Sequence, residues 1–115
     1  MKGALRPIGI NRNNVLGCVQ IRPYMPDEIK SIEWIALGSN VFNAMTPFYS
    51  NIDKVPDYLG NTTERVTTED FYWTNRMIAA LADPHYTYTS NFIEQYQNKV
   101  QSTARKILNK YDKEF

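Results

Sequence analysis

"VLGCVQIRPYMPDEIKSIEWIALGS", residues 15–39, decides how the chain is read. Its first eight residues alternate with the period of a strand. Val15, Gly17, Val19 and Ile21 fall on one side; Leu16, Cys18, Gln20 and Arg22 fall on the other. "PYMPDE" breaks the pattern with two prolines. "SIEWIALGS" then carries apolar residues on both faces, with Ile32, Trp34 and Ala36 against Ile35 and Leu37. That predicts a strand covered from both sides and central in its sheet.

Upstream, "LRPIGI" (5–10) places Leu5, Ile8 and Ile10 before the polar cluster "NRNN". This predicts a first strand, joined to residues 15–22 as an antiparallel hairpin by a short turn. Downstream, residues 39–67 read as one irregular loop, although Phe42, Met45, Phe48, Tyr49 and Tyr58 make it too apolar for a free linker. "NTT" at Asn61 matches the glycosylation triplet and is taken as accidental.

Two helices are predicted to close the chain. The first covers about 68–83, with a hydroxyl cap and acidic residues in "TTED", and stops before Pro84. The second covers about 91–112 and starts at Asn91, with Glu94 three residues on. Phe92, Tyr96, Val100, Ala104, Ile107, Leu108, Tyr111 and Phe115 follow at helical spacing and need a surface to dock on. Strands within about 5–38 followed by two helices make an α+β layout. The 115 residues are read as a single domain.

Composition bounds the function. Thirteen basic residues against twelve acidic leave a net charge of +1, and "ARKILNKYDK" mixes signs as a solvated helix face does. Nucleic-acid binders need a basic patch to meet phosphates, so nucleic acid is not an expected partner. No apolar run reaches membrane-spanning length, so no membrane is expected either. A single cysteine fits a reducing compartment, and a cytoplasmic, soluble chain is predicted.

Candidate chemistry is sparse. Cys18 has no cation nearer in sequence than Arg22, so it reads as a small buried hydrophobe and not a nucleophile. His85, in "DPHYTY", is the only histidine and reads as a residue between the two helices. One cysteine and one histidine, distant in sequence, make a weak metal site, and neither metal nor cofactor is expected. The acidic pairs Asp27–Glu28 and Glu69–Asp70 are explained by solvation and helix capping. No phosphate loop, G-x-S-x-G elbow or H-E-x-x-H helix occurs.

"RPIGINRN" (6–13) with "VQIRPYMP" resembles a segment of the bacterial dipeptidase A family, cysteine dipeptidases of the N-terminal-nucleophile (Ntn) hydrolase class. The likeness continues through "IEWIALGSNVFNAMTPFYSNI" (32–52), "VPDYLGNTTERVTTEDFYWTNRMIAALAD" (55–83) and "HYTYTSNFIEQ" (85–95). It implies a four-layer αββα sandwich of which this chain is a partial core, from the C-terminal side of much longer parents. It further implies dipeptide hydrolysis by an N-terminal cysteine whose own α-amino group serves as base. An amine near pKa 7.7–8.0 suits that task.

Met1 stands at this chain's start, and the family commonly has a glutamate and a histidine where Val15 and Gly17 stand. The expectation is a fragment without its nucleophile, inactive alone, that carries no catalytic residue. Asn11 and Arg12, at a polar turn, and Pro47, Phe48 and Tyr49, in an aromatic loop after a central strand, are the candidates for lining the parent's substrate cleft. Two alternatives stand beside this reading. One is a non-catalytic binding or assembly module that packs against a partner chain or a second copy, whereas the fragment's expected partner is the missing N-terminal part. The other is an independent hydrolase using Cys18 with His85.

Overall fold

In the computed structural model the described residues are 8, 10, 13–39 and 41–115. Alternation in the opening stretch produces β1 (Val15–Ile21) and β2 (Ser31–Leu37), and Thr46–Tyr49 forms β3. The sheet order is β1-β2-β3, antiparallel throughout, so β2 is central as its two apolar faces imply. The strand predicted at 5–10 lies mostly outside the described residues. Ile8 and Ile10, which are described, are not in a strand.

Register follows from two hydrogen bonds flanking the ladder. Arg22 N–H donates to the Lys30 carbonyl at 2.8 Å, and Gly38 N–H to the Asn14 carbonyl at 2.8 Å. With Val15 opposite Leu37 and Ile21 opposite Ser31, the even residues of β1 bond β2. Val15, Gly17, Val19 and Ile21 therefore turn their backbone groups to the outer edge. Across β2, Ser50 N–H donates to the Ser31 carbonyl at 3.1 Å, and Trp34 pairs with Pro47. Pro47 thus sits where its missing N–H would point outward, the position an edge strand tolerates.

The loop expected over 39–67 is more ordered than its sequence suggests. It contains β3 and a single helical turn, α1 (Asp57–Gly60). Thr46–Tyr49 escapes the alternation test because it is four residues long and includes a proline. Phe42, 2 % exposed, leaves the same segment to enter the core with Ala79, Ala82 and Ile93.

The helices are displaced from their predicted bounds. α2 (Phe71–Ala82) is capped by Asp70, whose carboxylate accepts from the Trp73 N–H at 2.8 Å; Thr67 accepts from the Glu69 N–H instead. A 3₁₀ turn at Asp83–His85 absorbs Pro84 in its first positions, where no N–H is needed, and α3 (Tyr86–Glu114) follows directly. Asn91 and Glu94 are therefore interior residues of α3, not a cap.

α3 lies on the sheet face that carries Leu16, Cys18 and Gln20, Ile32, Trp34 and Ala36, and Pro47 and Tyr49. Its apolar stripe is only partly used. Ile93 and Ala104 are buried, while Phe92, Ile107, Tyr111 and Phe115 are at least half exposed. The opposite sheet face leaves Val15, Val19 and Ile21 exposed. Between β2 and α2, Gly38 adopts φ +83°, and a Cβ there would lie 3.1 Å from that of Asn75. Among the described residues no helix is long and apolar enough to cross a membrane.

Candidate functional site

Two features stand out where α3 meets the sheet. The first is an anchor. Arg22, 7 % exposed, continues the face of β1 that turns toward α3, and its guanidinium donates to both carboxylate oxygens of Asp112, at 2.6 and 3.0 Å. It donates again to the Ile29 carbonyl, and the Tyr49 hydroxyl donates to Asp112 at 2.8 Å. The bonded guanidinium, helped by Tyr49, holds the Asp112 carboxyl below its ordinary range against the opposing effect of burial. Burial first, and then the neighbouring carboxylate, push the Tyr49 phenol up. Asp112 belongs to the stretch expected to be a solvated helix face. It is withdrawn from solvent because a buried arginine requires a counter-charge.

The second feature is a cleft of about 610 Å³ between β1, β2 and α3. Leu16, Cys18 and Trp34 line its sheet side, and Gln97, Gln101 and Arg105 its helix side. These last three recur every four residues, so they share one helix face. Trp34 donates its indole N–H to the Gln20 amide oxygen at 3.0 Å. Gln97 donates to the Val41 and Asn43 carbonyls at 3.0 and 2.9 Å, tying the segment before β3 to the helix. The volume is within the range of small-molecule and peptide sites.

Cys18 is exposed on this cleft, not buried as the alternation alone suggested. Periodicity assigns a face but does not say how far a helix covers it. His85 is in the 3₁₀ turn and does not line the cleft. No hydrogen bond joins Cys18 to a base among the described residues, so the arrangement contains no activated thiol pair. Among those residues no group of three or more His, Cys, Asp or Glu side chains gathers as metal ligands do.

Of the residues proposed for a substrate cleft, Asn11 and Arg12 lie outside the described residues. Pro47, Phe48 and Tyr49 are brought together, but in strand β3 and not in a loop. They border an apolar pocket of about 270 Å³ with Ile52, Ile107, Leu108 and Tyr111. Arg22, Gln97 and Asp112 were not singled out from the sequence. The one available signal was a charge in phase with Leu16 and Cys18 along β1, which suggests a partner without naming it.

The family model described as Peptidase family C69 matches residues 1–99. The chain belongs to Peptidase family C69. It is 50 % identical over 103 residues to the "Dipeptidase" of Bifidobacterium longum (strain NCC 2705), covering 90 % of this chain and 19 % of that protein. It is 47 % identical over 107 residues to the "Probable dipeptidase A" of Streptococcus pyogenes serotype M18 (strain MGAS8232), covering 93 % and 23 %. The "Dipeptidase A" of Lactobacillus helveticus is 36 % identical over 113 residues, covering 98 % and 24 %. The chain therefore spans about a fifth to a quarter of the length of these C69 relatives.

Proposed function

We propose that these 115 residues are one part of the catalytic domain of a cytoplasmic cysteine-type dipeptidase, and that they do not hydrolyse peptides alone. The observation that carries this is the C69 match, with relatives named dipeptidase along nearly the whole chain. The only cysteine supports the second half of the reading, since Cys18 has no bonded base among the described residues. The attacking thiolate and the amine that deprotonates it come from sequence outside this chain. The three-stranded sheet with α3 on one face supplies half of an αββα sandwich. Asn11, Arg12, Pro47, Phe48 and Tyr49 border the substrate in the assembled enzyme. For Tyr49 the contribution is an aromatic wall, because its hydroxyl is engaged with Asp112.

Complementation tests this. The chain is co-expressed with the unmatched remainder of the B. longum relative, and release of amino acids from a dipeptide is followed. The expected result is no turnover by the chain alone and thiol-sensitive turnover by the pair, reduced by Arg12→Ala. Thiol-sensitive turnover by the uncut chain alone would overturn the reading.

The exposed face of β1 also favours a purely structural role, as a module that docks on another chain. In that case the paired halves assemble but no dipeptide is cleaved.

A further inference from the structure

The outer edge of β1 is a ready template for another strand. Val15, Gly17, Val19 and Ile21 present their N–H and C=O groups there, and no described residue pairs with them. The sequence VLGCVQI contains no proline and no lysine, and every residue of it is exposed. Edges that proteins leave permanently free are usually blunted by such residues or by a bulge. A Cβ built on Gly17 would meet nothing within 4 Å, so the face it shares with Val15, Val19 and Ile21 is open at that point.

What lies on either side of that edge sets the chemistry of the occupant. The cleft beneath α3 reaches round the edge, because Val19, from the opposite face, lines it together with Leu16 and Cys18. Its helix wall offers Gln97, Gln101 and Arg105, and Arg105 forms no ion pair among the described residues. On the other face the neighbours are Val15, Val19 and Ile21, more than half exposed. A strand added at this edge points alternate side chains to these two environments.

We propose that the edge of β1 receives an extended segment with apolar residues beside Val15, Val19 and Ile21, and polar residues, including a carboxylate, facing Gln101 and Arg105. The source is the sequence that the C69 relatives carry beyond the stretch matched here, about four fifths of the B. longum protein. That source rests on the reading of this chain as part of a larger catalytic domain; the chemistry of the surface does not. A second copy of the chain is the poorer match, since β1 has no carboxylate to offer Arg105.

The test uses the 115-residue chain and overlapping peptides of about twelve residues, long enough for one strand, covering the unmatched part of the B. longum relative. Backbone amide exchange is read by NMR. A peptide alternating apolar and polar residues, with a carboxylate in the polar phase, is expected to slow exchange at Gly17, Val19 and Ile21 by about tenfold or more. Arg105→Glu should weaken that peptide about tenfold, and replacing its carboxylate by lysine should restore binding to the variant. Failure of every peptide to protect these amides would overturn the proposal. So would protection already present without peptide, whether from the chain's own N-terminal residues or, if it grows with concentration, from a second copy. No dipeptide is cleaved in this assay, so its outcome is independent of the complementation result.

Discussion

Arg22 and Asp112, ninety residues apart in sequence, meet in a two-pronged ion pair that fastens the end of α3 to the end of β1. Both side chains are nearly withdrawn from water, at 8 % and 12 % exposed. Removing one partner leaves the other charge buried and unpaired. Asp112→Ala is expected to destabilise the fold by about 3 kcal/mol, read as a fall in the urea midpoint with little change in slope. Replacing both, as Arg22→Met with Asp112→Leu, should cost much less, because no orphaned charge remains.

The pair and the Tyr49 phenol bonded to it set a pH dependence on both sides. Asp112 is held below its ordinary value of 3.8, so in acid the unfolded chain takes up its proton first. Its contribution is complete above that ordinary value and disappears as pH falls through the lowered one. Tyr49 is shifted upward from 10.0, so its contribution is complete below pH 10.0 and disappears as pH rises through the raised value. Asp112→Asn should flatten the acid limb, and Tyr49→Phe the alkaline limb, in melting temperature measured against pH.

Gly38 holds a backbone angle that a side chain would strain, against a neighbour only 3.1 Å from the position of its Cβ. Gly38→Ala should cost about 1–2 kcal/mol from the left-handed conformation alone, and more from the contact with Asn75. Asn75 is itself 1 % exposed and donates to the Leu37 carbonyl at 2.9 Å. Thermal melts of Gly38→Ala, Asn75→Ala and the double variant should therefore be non-additive.

Asp70 begins α2 from a position 1 % exposed, with one carboxylate oxygen on the Trp73 N–H. Asp70→Ala is expected to cost about 1 kcal/mol, and Asp70→Asn distinctly less. Loss of helical circular dichroism on gentle heating would report it first.

Cys18 should react with a thiol reagent in the native chain without denaturant, because it faces the open cleft and is not packed in a core. A reaction seen only after unfolding would place the side chain under cover.

The opening stretch was the legible part of the fold. Alternation over Val15–Arg22 and the double apolar face of Ser31–Leu37 specify two strands, and specify the second as central. β3 was hidden because four residues carry too little periodicity and Pro47 argues against a strand unless its edge position is known. The start of α3 was hidden because Pro84 looks like a stop, whereas it occupies the opening of a 3₁₀ turn that leads straight into the next helix. At the site, alternation placed Cys18 and Arg22 on one face. Which helix residue would answer Arg22, and how much of Cys18 would stay uncovered, depend on where α3 lands, and that is a tertiary fact. The family resemblance pointed to dipeptide chemistry from residues 6–95, while the residues that touch the cleft from α3, Gln97, Gln101 and Arg105, follow that stretch.

Pro47 gives the sheet a direction. At β3 a newcomer would find one backbone donor missing where the proline ring stands, while at β1 it would find the ladder intact over seven residues. Lateral growth is thus uneven among the described residues: one flank carries a stopper and the other an unbroken ladder, which favours the side of Val15 and Val19 for a strand that completes this sheet.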